Sequence, residues 1–139
     1  DTIMNQENIY ELLEKYENIE WGFFHLGFKS RTFKFKFLSY CINLRSILFK
    51  YATGDQCLFV KKKLFKQVNG YSCLRLMEDI ELSNKLIQIT KPKMMKSVVY
   101  TSIRRWIKDG YLKTIIKMRV LRLLYFLGLD TKYLEKMYK

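Results

Sequence analysis

The stretch IEWGFFHLGFK, Ile19 to Lys29, decides the fold class. It is rich in aromatic side chains and interrupted by Gly22 and Gly27, a make-up that suits a strand and not a helix. On its N-terminal side, NQENIYELLEKYEN sets Ile9, Leu12, Leu13 and Tyr16 at i, i+3, i+4 and i+7, one apolar helical stripe with acids early in the run. On its C-terminal side, FKFLSYCINLRSILFKY returns to helical spacing through Leu38, Cys41, Ile42, Arg45 and Leu48. QCLFVKK then predicts a short strand, KKLFKQV a helical turn or two, and Asn69-Gly70 a turn. EDIELSNKLIQI predicts a helix with acids in its first turn, SVVYTS another strand, and Tyr111 to Leu127 a long, basic, mostly apolar helix. Helices and strands are mixed without clean alternation, which makes the fold class α/β.

The 139 residues are one domain by length, and 49% hydrophobic with 16% aromatic content puts the chain among folded globules. One proline and six glycines leave no room for a flexible linker. No repeat of fixed period and no low-complexity tract stands out. The chain opens on Asp1 in place of methionine, so the expectation is a processed protein or a piece of a longer one. With 26 Lys and Arg against 13 Asp and Glu, the formal charge is +13. Such a balance favours anionic partners: phosphate groups, nucleic acid or an acidic membrane surface. Cys41, Cys57 and Cys73 are odd in number and form no C-x-x-C pair, which predicts free thiols in a reducing compartment. The most apolar run, LLYFLGL, is too short to span a bilayer, so the expectation is a soluble or peripheral protein.

Three segments carry candidate chemistry. In LMEDIELSNKL the adjacent carboxylates of Glu78 and Asp79 follow Leu76 and Met77. Acids in a first helical turn complement the positive end of the helix dipole. Two neighbouring carboxylates among apolar side chains also hold protons more readily, which suits a general base. Both readings stand, and they are compatible. TSIRRWIKDG sets Arg104, Arg105 and Trp106 at the end of a short strand. Those residues make either a solvated edge with one core aromatic or a phosphate-binding fork beside a stacking surface. GDQCLFV is either a turn entering a strand, capped by Asp55, or a polar rim in which Asp55 and Gln56 face hydroxyl groups. His25, the single histidine, fits a satisfied core or rim side chain. Phe33 to Phe37 alternates aromatics with lysines, suiting nucleic-acid stacking or, more simply, a packed edge with lysine stems laid along it. The tail helix, with Lys113, Lys117, Arg119 and Arg122, fits packing on another part of the protein or a second copy, or contact with an acidic membrane.

In order and spacing these segments resemble the C-terminal half of family 2 glycosyltransferases. The residues that carry the resemblance are Gly54-Asp55-Gln56 with Phe59-Val60, the Gly70-Tyr71 turn, Leu76-Met77-Glu78-Asp79, and Thr101-Ser102 with Arg104-Arg105-Trp106 and Gly110. The tail, LLYFLGLD and Tyr138, is similar to the same branch, and Asp1-Thr2 looks like the end of its acidic metal motif. Asn69 stands where the family's turn usually has glycine, a mild departure because asparagine tolerates φ > 0.

The resemblance implies a glycosyltransferase A-type fold, with a mixed sheet flanked by helices and a basic C-terminal helix. Residues 1–139 would be its acceptor-side part, without the nucleotide-binding units and with exposed apolar surface where they pack. It implies inverting transfer of a sugar from a nucleotide-diphosphate donor to an acceptor hydroxyl. Asp79 is then the base and Glu78 its neighbour. Arg104 and Arg105 bind the departing diphosphate, Trp106 walls the pocket, and Gly54, Asp55 and Gln56 lie near substrate. Asp1 would bind Mg²⁺ or Mn²⁺. The expected setting is cytoplasmic, with peripheral contact at the inner membrane face, self-association or pairing with the absent half, and no nucleic-acid partner. The competing reading is a non-catalytic basic module for anionic membrane or nucleic acid, or an inactive gene fragment.

Overall fold

The computed structural model of this chain describes residues 2–138. It is a mixed α/β fold around a four-stranded sheet with order β1-β4-β2-β3. The strands are β1 (Thr2–Ile3), β2 (Trp21–Phe28), β3 (Phe59–Val60) and β4 (Lys93–Thr101). The helices are α1 (Gln6–Lys15), α2 (Phe33–Phe49), α3 (Lys62–Gln67), α4 (Glu78–Ile87), α5 (Arg104–Lys108), α6 (Tyr111–Phe126) and α7 (Thr131–Tyr138). Strand β2 runs parallel to β4, while β1 joins β4 and β3 joins β2 antiparallel.

The aromatic stretch is the central strand, as its sequence predicts. Side chains of a strand alternate between faces. Trp21 and Phe23 accordingly join Ala52, Leu64, Leu82 and Leu86 on one face, and Phe24, Leu26 and Phe28 join Leu38, Met95 and Val99 on the other. Burial on both faces explains why β2 shows no apolar–polar alternation. Gly22 is a site of close approach: a Cβ there would overlap the carbonyl oxygen of Lys93 on the neighbouring strand. A third cluster, Tyr51, Met77, Ile80, Leu121 and Leu134, ties α4 to α6 and α7.

The pairing of β2 with β4 breaks once: Phe24 faces Met95 but His25 faces Val98, so Lys96 and Ser97 are extra residues on β4. Their N–H groups are satisfied by α1, where Glu11 accepts from Lys96 at 2.9 Å and from Ser97 at 2.8 Å. The Asn8 amide donates to the Val98 carbonyl at 3.2 Å. Of the α1 stripe, only Leu12 packs against the core. Asn8 is fully buried while Ile9, Leu13 and Tyr16 are exposed. A bulged strand leaves ladder groups without partners, and the polar face of α1 supplies them. His25 is satisfied as expected, its Nδ1 lying 2.6 Å from the Met95 carbonyl oxygen.

Two further expectations are corrected. Phe33 to Phe37 opens α2, so the packed edge expected there is a helix start. Phe35 packs on Phe28 with ring centroids 5.4 Å apart, while the exposed Phe33 and Phe37 stack on each other. Arg104-Arg105-Trp106 opens a short helix, α5, beyond the strand end. Tyr40, Leu44 and Ile47 continue the exposed row of α2, and Leu112, Ile116, Val120 and Leu123 form another along α6. The three cysteines are free thiols. No helix among the described residues is long and apolar enough to cross a membrane.

Candidate functional site

The segment GDQ forms a 3-10 turn, Gly54–Gln56, leading toward β3. Its capping residues are Thr53 and Gln56, which bond reciprocally, so Asp55 is not the cap. Gln56 is fully buried. Its Oε1 accepts from Ser46 Oγ at 2.9 Å and from the Thr53 N–H at 3.2 Å, and its Nε2 donates to the Phe24 carbonyl at 3.4 Å. Gln56 therefore pins the turn to α2 and β2 and does not stand on a rim facing hydroxyl groups. Asp55, next to it, keeps exposed side-chain surface while protein atoms crowd around its carboxyl.

The acids at the start of α4 go three ways. Glu78 is exposed. Glu81 accepts from Ser72 Oγ at 2.6 Å and pairs with Lys85 at 3.2 Å. Asp79 turns to the GDQ segment, its Oδ2 accepting the Gly54 N–H at 2.7 Å while Oδ1 accepts the Ile80 N–H at 2.8 Å. One carboxylate thus satisfies an orphan N–H of the helix start and fastens the neighbouring turn. A carboxylate has about four acceptor positions, so capacity remains for an incoming hydroxyl. Two non-glycine residues in left-handed conformation flank this contact, Cys57 (φ 48) and Met77 (φ 67). Such residues carry roughly 1–3 kcal/mol of backbone strain each and cluster at functional sites.

Beside this junction lies a cleft of about 170 Å³, walled by Leu26, Leu38 and Ile42 and by Trp106, with Asp55 and Arg105 also lining it. Trp106 is held edge-on against Phe28, centroids 5.7 Å apart, and beside Tyr111 at 6.2 Å, so it is both core and wall. Arg105 lies over the Tyr138 ring, 4.4 Å from its centroid, and donates to its hydroxyl. Arg104 does not line the cleft; its Nε donates to Ser102 Oγ at 3.3 Å. Desolvation raises the Asp55 carboxyl above its ordinary range, and Asp79 adds repulsion, while Arg105 and Arg122 pull the other way. Asp55 is therefore close enough to feel both Asp79 and Arg105.

Sequence reasoning missed three cleft residues: Arg45 of α2 and Arg119 and Arg122 of α6. Burial first, and then repulsion from Arg122, pull Arg45 down to about 10. Burial likewise lowers Arg122, against attraction from Tyr51, Asp79 and Asp55. A signal was present. Arg45 follows Leu38, Cys41 and Ile42 on one helical stripe, and all four line the cleft, whereas Leu48, read as part of the same stripe, is exposed.

Asp1 lies outside the described residues. Among those described, no three His, Cys, Asp or Glu side chains gather where they could hold a metal ion. No protein-family model matches this chain, and comparison with curated proteins and with solved structures finds no match.

Proposed function

We propose that this chain is the acceptor-side part of an inverting glycosyltransferase of the family 2 kind, built on a glycosyltransferase A-type fold. One observation carries the reading: Asp79, Asp55 and Arg105, which stand in separate motifs of the resemblance, converge beside one cleft walled by Trp106. Sugar transfer needs a base for the acceptor hydroxyl and positive charge for the departing diphosphate. Asp79 takes the hydroxyl proton as the hydroxyl oxygen bonds to the anomeric carbon. The bond from that carbon to the diphosphate oxygen breaks with its electron pair, and Arg105 offsets the charge that develops. Asp55 and Trp106 orient the sugar or the acceptor. Glu78 and Arg104 act from outside the cleft, on the field around it. A divalent ion, Mg²⁺ or Mn²⁺ with Asp1 among its ligands, belongs to the same reading and would add countercharge.

The test is incubation of the full-length protein with nucleotide-sugar donors, Mn²⁺ and hydroxyl acceptors, followed by analysis for sugar transfer and for anomeric configuration. Donor binding that needs a divalent ion, with an inverted product, supports the proposal. Absence of donor binding, together with retention on anionic vesicles, overturns it.

A second reading has its own support. The exposed row Leu112, Ile116, Val120 and Leu123 on α6, with the exposed Lys113 beside it, suits an amphipathic face resting on an anionic membrane. In that reading the chain works at the cytoplasmic face of the membrane, with or without catalysis.

A further inference from the structure

The cleft holds more positive charge than its own acids can answer. Arg45, Arg105, Arg119 and Arg122 line it, against Asp55 and the neighbouring Asp79. Asp109 lies 3.9 Å from Arg105 as a third acid, so four guanidiniums against three carboxylates leave a net positive charge. Among the described residues, no carboxylate lies within 4.0 Å of Arg45, Arg119 or Arg122. Arg45 stacks on the Tyr51 ring at 5.0 Å and reaches Ser46 Oγ at 3.4 Å, but its Nε is buried with no hydrogen-bond partner. Arg45 and Arg122, half-buried beside apolar side chains with the Arg45 Nε donor unmade, cost the fold energy, while Arg119 stands exposed at the cleft mouth. A ligand that supplies the missing acceptors relieves all of this at once.

Charge and size select the ligand. Three guanidiniums with no carboxylate within 4.0 Å suit a multiply charged anion, and a phosphoryl group carries about −1.5 to −2 at neutral pH. Guanidinium forks pair with its oxygens two at a time. At about 170 Å³ the cleft is below the roughly 300–1,000 Å³ usual for whole drug-sized ligands, so it takes a compact group and not a complete nucleotide sugar.

We infer that Arg45, Arg119 and Arg122 form a binding site for a phosphoryl dianion, between α2 and α6. The site stands on the geometry of the cleft and does not depend on sugar transfer. Its phosphoryl group comes either from a donor diphosphate or from a phosphate carried by the acceptor.

The test is calorimetric titration and thermal unfolding of the full-length protein with inorganic pyrophosphate, inorganic phosphate and glycerol 3-phosphate, at low salt. At least one of these binds and raises the melting temperature. Arg119→Gln and Arg122→Gln each weaken that binding by about tenfold or more, while Arg31→Gln leaves it unchanged. Because burial costs Arg122 more than the attraction of Tyr51, Asp79 and Asp55 returns, Arg122→Gln keeps or raises the melting temperature without ligand, which a purely structural arginine would not do. Tighter binding of pyrophosphate assigns the site to a donor diphosphate, and tighter binding of the monoester assigns it to a phosphorylated acceptor. The inference is overturned if none of the three binds, or if both glutamine variants bind as the parent does. Phosphate binding without sugar transfer removes the proposed function and leaves this site in place.

Discussion

The backbone N–H of Gly54 donates to Oδ2 of Asp79 at 2.7 Å, across 25 positions of sequence. That bond joins two motifs which sequence offers separately and sets the proposed base at the edge of the arginine-lined cleft. Asp79→Asn keeps the shape and one acceptor oxygen but removes the basicity. The variant should lose transfer by about 10²–10⁴-fold, with a stability change of about 1 kcal/mol. Product formation and a denaturation curve check the two halves; near-parental transfer would sink the assignment of Asp79.

Gly54 contributes an N–H and not an absence of side chain. A Cβ there would sit 3.9 Å from Asp79 Oδ2, an ordinary contact. Gly54→Ala should therefore be neutral to within about 0.5 kcal/mol. Gly54→Pro is backbone-compatible, since the preceding Thr53 is extended (φ −103, ψ 155), but it deletes the donor. Turnover should fall with proline and hold with alanine, by roughly tenfold between them. Equal rates for the two would show that the bond does not matter to catalysis.

Gln56→Leu tests whether this glutamine is structural. It strands Ser46, the Thr53 N–H and the Phe24 carbonyl in a buried setting, with an expected loss of about 3 kcal/mol. The midpoint of urea unfolding should drop with little change of slope. A variant as stable as the parent would return Gln56 to the list of substrate contacts.

Glu11 should confer acid sensitivity on the β4 bulge. Burial raises its carboxyl, but hydrogen bonds from Lys15, Ser97 and the Lys96 N–H outweigh it and bring it down to about 2 from an ordinary 4.5. The folded state thus holds its proton less tightly than the unfolded state. The stabilisation is complete above about 4.5 and is lost as pH falls toward 2. Glu11→Gln should unfold more easily than the parent at pH 7, and the gap should narrow in acid. A constant gap across that range would contradict the account.

Asp55 has the opposite sign. Burial, and then Asp79, raise its carboxyl, so the unfolded chain ionises first as pH rises and stability falls through that window. Asp55→Asn should match the parent in acid and exceed it at neutral pH. Thermal unfolding at the two ends of the range decides it.

The sequence made β2, α2 and α4 legible because their patterns are local: aromatic density in one, helical spacing in the others. It misled at α1, where the polar face turns inward, because a bulge on β4 cannot be read from α1 itself. It misled at Gln56 too, since a glutamine after Gly-Asp looks like a rim until Ser46 is seen beside it. Helix α7 had a start signal in Asp130, whose carboxylate accepts the Lys132 N–H at 2.9 Å. The acids and Arg105 were findable from their motifs. Arg119 and Arg122 were not, because only the packing of α6 against α2 gives them a common focus with Arg45.

Chain order gives that packing a consequence during synthesis. A ribosome delivers Arg45, Asp55 and Asp79 first, and so far the future pocket is short of cations by one. Arg105, Arg119 and Arg122 emerge afterwards and reverse its sign. The inferred phosphoryl site therefore needs α6 to be translated before its guanidiniums share one focus.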